Sequence, residues 1–120
     1  MANPFVHVEL MSTDVGKAKT FYGKLFGWTL EDMPLGDGTY TMIKVGEGTG
    51  GGIMKNPMPN APSSWVAYVL VDDLKKAIEK ANSLGGKVMK DKTDVMGMGS
   101  LAFINDPTGA MLGLWEPKKS

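Results

Sequence analysis

Two side chains near the start of the sequence have the types and the spacing that proton or metal chemistry needs. His7 is the only histidine, and Glu9 follows it two positions later between two apolar residues. In a β-strand this spacing places both side chains on one face, roughly 7 Å apart. An imidazole and a carboxylate there could hydrogen-bond a ligand, move a proton or contribute to a metal site.

Both residues also have a simpler explanation. A single histidine in a half-buried strand is commonly only hydrogen-bonded, and a carboxylate on a hydrated surface is solvated or paired with a lysine. If Glu9 instead faces a poorly hydrated cavity, its pKa is expected to rise, which suits proton abstraction. The sequence leaves the two explanations of His7 open, and for Glu9 it favours ligand contact over catalysis.

The composition excludes several other kinds of site. The 120 residues include 13 lysines, no arginine and 13 acidic residues, so the formal net charge is zero and nucleic acid is not an expected partner. The absence of cysteine excludes thiolate nucleophiles and cysteine-ligated metals. The longest apolar run, 65–71, is far shorter than the ~20 residues of a membrane helix, and 1–14 lacks the features of a signal peptide. We therefore expect a cytoplasmic protein with no membrane partner.

Two segments of the sequence have the periodicity of amphipathic helices. They cover 14–27 and 73–86, and each begins at an aspartate and ends at a glycine, as helices with an N-cap and a C-terminal glycine do. The predicted buried side chains are Val15, Ala18, Phe21, Tyr22 and Leu25 in the first helix, and Leu74, Ala77, Ile78, Ala81 and Leu84 in the second.

The two helices belong to a pattern that occurs twice in one domain, 1–120. Each half is predicted as a strand, a helix and three strands, a βαβββ module. Module one covers about 4–55, a proline-rich linker about 56–64, and module two about 64–117. The predicted strands are 4–11, 28–33, 39–45 and 51–55, then 64–71, 87–91, 99–105 and 110–116. In the second module, 106–109 has the residues of a type I turn with a left-handed Gly109.

His7 and three longer segments carry a resemblance to a known family. With 13–28 (TDVGKAKTFYGKLFGW), 71–88 (VDDLKKAIEKANSLGGKV) and 105–117 (NDPTGAMLGLWEP), the chain resembles the vicinal oxygen chelate superfamily. This group contains glyoxalase I, the bleomycin-resistance proteins and the extradiol dioxygenases. The resemblance implies an α+β fold in which two tandem βαβββ modules curl their mixed sheets into a cup-shaped cavity. It also implies a homodimer.

The resemblance also indicates where a metal would be held. Metal-dependent members place one ligand on the first and one on the last strand of each module. Carried over to this chain, these positions are His7, Gly52, Val66 and Gly113. Only the histidine can bind a metal, whereas a catalytic divalent ion needs about three protein ligands. We therefore expect no cofactor, with a divalent Zn, Ni, Mn or Fe ion as the alternative.

The same carry-over predicts a ligand cavity along the first and last strands. Glycines in the metal positions would leave space for a ligand, and methionine suits adaptable apolar binding. The residues expected to line this cavity are His7, Glu9, Met11, Gly52, Met54, Val66, Tyr68, Gly113 and Trp115. The segment 96–99 (MGMG) is either a lid at the cavity mouth or, with the other methionines, core filling.

These expectations favour a protein that binds a small apolar or aromatic molecule without a metal. His7, Glu9 and Tyr68 would supply the polar contacts, and no residue is assigned a catalytic role. One alternative is a metal-dependent lyase, isomerase or dioxygenase of the same superfamily that uses His7. Another is an interaction domain without a small ligand. Fold analogy does not name the ligand.

Overall fold

The computed structural model describes residues 2–35, 38–58 and 60–119 and contains two helices and eight strands in this part of the chain. The elements occur in the order β1 (Phe5–Ser12), α1 (Val15–Phe26), β2 (Thr29–Leu35), β3 (Gly38–Lys44), β4 (Gly51–Lys55), β5 (Ser64–Leu70), α2 (Leu74–Ser83), β6 (Lys87–Val95), β7 (Gly99–Asn105) and β8 (Met111–Pro117). This order is βαβββ twice, which confirms the predicted α+β fold of two tandem modules.

The chain forms two compact units. The first unit is His7–Val66, and the second unit contains the residues up to Val6 and those from Ala67 onward. In the first unit the strand order is β2-β3-β4-β1, with β1 and β4 parallel and the other pairs antiparallel. In the second unit it is β6-β7-β8-β5, with β5 and β8 parallel. The two units therefore repeat one topology.

Helix α1 begins and ends where the sequence predicts. The Asp14 carboxylate caps it by accepting from the backbone N–H of Lys17, and Gly27 ends it with φ 69°. The helix packs through Val15, Ala18 and Tyr22 on the core residues Leu10, Ile43 and Ile53. The prediction that Phe21 and Leu25 are buried is wrong, because both are more than half exposed. Successive helical residues are turned by about 100°, so Phe21 points away from the buried direction of its neighbour Tyr22.

Helix α2 is shorter than predicted. It begins after Asp73, which accepts from Lys76 N–H, and the carboxylate of Glu116 accepts from Leu74 N–H at 2.9 Å. It ends at Ser83, three residues before the predicted end, because Gly85 already takes the left-handed conformation with φ 92°. Leu84 therefore lies outside the helix and is 68% exposed, not buried. The second core contains Val71, Leu74, Ile78, Ala102 and Leu114.

Two turns of the second unit have well-defined geometry. Gly109 has φ 96° as predicted, and the Asp106 carboxylate accepts from Thr108 and Ala110, which holds its pKa below the usual value.

Strand β6 continues to Val95, four residues beyond its predicted end. Met96 and Gly97, with φ 50° and 73°, are then the central residues of a turn closed by a hydrogen bond from Met98 N–H to the Val95 carbonyl, and positive φ at both positions is typical of type I′ turns. The segment 96–99 is thus a tight turn and the start of β7. Met96 and Met98 are more than half exposed, so the interpretation of these two methionines as core filling is wrong, and a lid stays a prediction.

Candidate functional site

A hydrogen-bonded chain of three side chains lies on one face of the first unit. Nε2 of His7 is 2.6 Å from the hydroxyl of Tyr40, and that hydroxyl donates to Oε1 of Glu9 at 3.0 Å. The imidazole and the phenol ring are also stacked, with centroids 6.3 Å apart. His7 and Glu9 are therefore on the same face of β1, as the alternation predicts, and a tyrosine from β3 connects them.

The proton of the Tyr40 hydroxyl relates the three side chains. With Glu9 ionised, the hydroxyl donates this proton to the carboxylate and accepts from His7 in the tautomer that carries Nε2–H. Burial lowers the pKa of His7 below 6.5, which favours the neutral ring at neutral pH. Burial and the adjacent Glu9 carboxylate raise the pKa of Tyr40, so the phenol stays protonated. The result is a directional chain from His7 through Tyr40 to Glu9.

Glycine makes this position of Tyr40 possible. On β4, Gly52 pairs with Glu9 of β1 and with Met42 of β3, and the Tyr40 ring lies directly over it. A Cβ atom at position 52 would overlap the Tyr40 hydroxyl and ring carbons. The sequence predicts space for a ligand above Gly52. In the structure, the Tyr40 ring occupies this space.

The second unit has a similar arrangement around Gly113. This residue of β8 pairs with Tyr68 of β5, and a Cβ at position 113 would lie 2.6 Å from Cδ2 of the Tyr68 ring. Tyr68 is 2% exposed and makes an edge-to-face contact with Phe103, with centroids 5.7 Å apart. Gly113, like Gly52, allows an aromatic ring to approach the backbone.

The remaining residues of the expected cavity divide between the two units. Met11 and Met54 are paired across β1 and β4 in the first unit, which also contains the buried Val66. Trp115 belongs to the second unit, where its ring approaches Gly99 so closely that a Cβ there would lie 2.6 Å from it. That the residues of the two units line one cavity stays a prediction.

The residues present do not fit a metal centre of the superfamily's kind. Among the described residues, no group of three or more His, Asp or Glu side chains is placed to hold a metal ion. Nε2 of His7 is engaged by Tyr40, and Gly52 is covered by the same ring. This donor set offers one imidazole where about three ligands are needed, so no step of a mechanism is derived through a metal.

Tyr40 is the residue that the sequence analysis misses. It lies 33 positions from His7 and 31 from Glu9, and nothing in its local sequence indicates their contact. One signal was available: β3 and β4 are consecutive strands, and a tyrosine on a strand next to an in-strand glycine can cover that glycine.

The comparison with known families decides the identity of this fold. The family model described as Glyoxalase/Bleomycin resistance protein/Dioxygenase superfamily matches residues 5–114. The chain belongs to this superfamily. Among the described residues no helix is long and apolar enough to cross a membrane.

Curated relatives within this superfamily are longer than this chain. "Putative glyoxylase CFP32" of Mycobacterium tuberculosis is 38% identical over 118 residues, which cover 93% of this chain and 45% of that protein. The "Anthracycline biosynthesis protein DnrV" of Streptomyces peucetius is 28% identical over 123 residues, covering 90% of this chain and 45% of the relative. The chain thus spans less than half the length of these relatives.

Solved structures share the fold at low sequence identity. The hypothetical protein BH1468 from Bacillus halodurans C-125 superimposes with a TM-score of 0.75 at 14% identity, covering 100% of this chain and 98% of the other. Methylmalonyl-CoA epimerase from Mycobacterium tuberculosis gives a TM-score of 0.71 at 17% identity, covering 96% and 88%. At this level of identity the similarity shows the fold.

Proposed function

We propose that the protein binds a small molecule on the face of the first unit that carries His7, through hydrogen bonding and without a metal ion. The observation that carries this proposal is the pair of hydrogen bonds that connects His7 through Tyr40 to Glu9. Glu9 is 4% exposed, and burying a carboxylate is costly unless it is hydrogen-bonded. A fold that only needed a core would place an apolar residue there.

The hydrogen bonds from His7 through Tyr40 to Glu9 place the imidazole and the carboxylate at different depths. Glu9 is buried, whereas His7 and Tyr40 are half-buried, so the imidazole is more exposed than the carboxylate. Met54 of β4 lies on this face and is half-buried, whereas Met11 of β1, on the same face, is 2% exposed. The site therefore suits an apolar molecule with one hydrogen-bonding group that meets the imidazole, whose protonation Tyr40 sets in advance. The two relatives are named a putative glyoxylase and an anthracycline biosynthesis protein, which supports a small organic ligand.

A thermal-shift screen tests this proposal. Ligands that bind only the folded state raise its melting temperature by mass action. We expect hits on the wild type to lose most of their shift in His7→Asn and Tyr40→Phe. The matched control is Thr39→Val, which removes an exposed hydroxyl from the position of β3 next to Tyr40 and should keep the shift. The proposal is contradicted if no hit loses its shift in either of the two site variants.

Metal analysis tests the second half of the proposal. After dialysis the wild type should retain no stoichiometric divalent ion, because His7 alone binds too weakly. About one ion per chain that is lost in His7→Ala would contradict this and favour the metal-dependent lyase, isomerase or dioxygenase.

We further propose that the protein is a cytoplasmic homodimer. The family that the chain belongs to supports the dimer, and symmetric dimers are the commonest oligomers. Sedimentation should give twice the 12.9 kDa chain mass at micromolar concentration. A species of the single-chain mass would contradict the dimer.

A further inference from the structure

The first unit contains an aromatic cavity on the opposite side of β1 from the His7 chain. Its volume is about 310 Å³. Val8, which lines it, lies between His7 and Glu9 in sequence, so its side chain points to the other face of the strand. The lining residues are Val8, Trp28, Ile43, Val45, Thr49, Gly50, Gly51 and Trp65. This volume lies at the small end of the range that binds organic ligands.

The two tryptophans of this cavity are held in place by neighbouring rings. Tyr22 stacks on Trp28 with centroids 5.9 Å apart and meets Trp65 edge to face at 5.4 Å. The Trp65 indole N–H points to the Tyr22 hydroxyl at 3.4 Å, and Phe26 contacts Trp28 at 4.7 Å. Walls that are fixed before binding reduce the entropy that a ligand must offset.

The chemistry of the lining restricts the occupant. No lining residue is charged, and Thr49 contributes the one hydroxyl, so an ionic ligand would lose its hydration without compensation. Indole rings favour flat aromatic partners by stacking or edge-to-face contact. The Thr49 hydroxyl can hydrogen-bond one neutral polar substituent of the ligand.

We propose that this cavity is a second binding site that takes a neutral, flat aromatic molecule with a fused two-ring system and one polar substituent. It is independent of the site at His7, because it uses other residues on the other face of β1. The protein would thus bind small molecules on both sides of one strand.

Nuclear magnetic resonance of the ¹⁵N-labelled protein tests this proposal. The chain has three tryptophans, so its three indole N–H signals report separately, and Trp28→Phe and Trp65→Phe assign two of them. Titration with 2-naphthol should shift the Trp28 and Trp65 signals saturably and leave Trp115, in the second unit, as an internal reference. Naphthalene-2-sulfonate, the charged analogue, should bind at least about tenfold more weakly.

A cavity-filling variant sharpens the test. Val45→Phe should weaken 2-naphthol binding at least about tenfold, whereas Lys44→Phe adds the same side chain on the other face of β3 and should not. If Val45→Phe does not fold, the comparison of the neutral and charged probes still decides. The proposal is overturned by the absence of saturable shifts, by equal binding of the sulfonate, or by unchanged binding in folded Val45→Phe. It is also overturned if the two signals move with protein concentration alone, because a second copy would then cover the cavity.

Discussion

The two units use the same glycine position for different purposes. In the first unit Gly52 lies under Tyr40, which comes from β3, and the phenol hydroxyl connects His7 with Glu9. In the second unit Gly113 lies under Tyr68, which comes from β5 and packs against Phe103. A duplicated fold has thus kept one backbone feature and placed its polar chain in only one copy. The Tyr68 ring stabilises the fold through packing, whereas the Tyr40 ring also holds the hydrogen bonds of the candidate site.

The largest expected effect is the loss of the Tyr68 ring. Tyr68 is 2% exposed, so Tyr68→Ala should lower the free energy of unfolding by about 3–5 kcal/mol, as for other large buried aromatics. Tyr40→Ala should cost less, because Tyr40 is only half-buried. Urea denaturation measures both, with Tyr68→Phe as the control that keeps the ring. Equal losses at the two tyrosines would show that the rings have the same role.

Filling the two glycines should distinguish the units further. Gly113→Ala places a methyl group against the Tyr68 ring and should cost about 1–3 kcal/mol of stability, as overpacking does. Gly52→Ala should cost a similar amount and also displace Tyr40 from His7. In a Tyr40→Ala background the cost of Gly52→Ala should largely disappear. A double-mutant cycle with no coupling between these two positions would contradict the packing described here.

The turn of the second unit gives the next largest effect. Gly109 has φ 96°, where a β-branched side chain is strained, so Gly109→Val should cost about 1–2 kcal/mol or more. Gly48, its counterpart in the first unit, has φ 95° and should respond alike to the same substitution. Gly109→Asn is the control, since asparagine tolerates this conformation. An unchanged melting temperature in Gly109→Val would mean that the last hairpin is built differently.

These turns and the order of elements could be predicted because their signals are local. The Asp-Pro-Thr-Gly segment 106–109 and the capping residues Asp14 and Asp73 determine their own geometry within a few residues. The two failures on the helices have local causes as well. Gly85 and Gly86 are adjacent, and a helix could end at either of them. Gly85 takes the left-handed conformation, so α2 ends before the predicted position. In α1, apolar periodicity did not distinguish the buried side from the flank that carries Phe21.

The site was predictable only in part, because it depends on contacts between distant residues. Strand alternation is enough to place His7 and Glu9 on one face. Tyr40 joins the two side chains because β3 pairs with β4. This strand pairing depends on contacts between residues that are distant in sequence, so local patterns do not predict it. The glycine at position 52 indicates space for a ligand, but nothing in the sequence shows that the Tyr40 ring occupies this space.

The polar chain should also make stability depend on pH. Burial lowers the pKa of folded His7 below its unfolded value of 6.5, so the unfolded state binds more protons between the two values. The contribution of His7 is therefore complete above about pH 6.5 and is lost as the pH falls toward the folded pKa. Melting temperatures from pH 8 to 5.5 should decrease in the wild type and change less in His7→Asn. Because His7 is the only histidine, the same slope in both proteins would assign the effect elsewhere.

The smallest expected effect is a gain of stability in the β6–β7 turn of the second unit. Met96 has φ 50°, a left-handed conformation that costs most residues about 1–2 kcal/mol and that asparagine adopts more readily. Its side chain is more than half exposed, so replacing it sacrifices little packing. Met96→Asn places Asn-Gly at the two positions of this turn that have positive φ, a pair that type I′ turns prefer, and should raise stability by about 0.5–1 kcal/mol. Met98→Asn, just after the turn, is the control and should not stabilise. A fall in the urea midpoint of Met96→Asn would show that the methionine side chain makes contacts that outweigh the backbone strain.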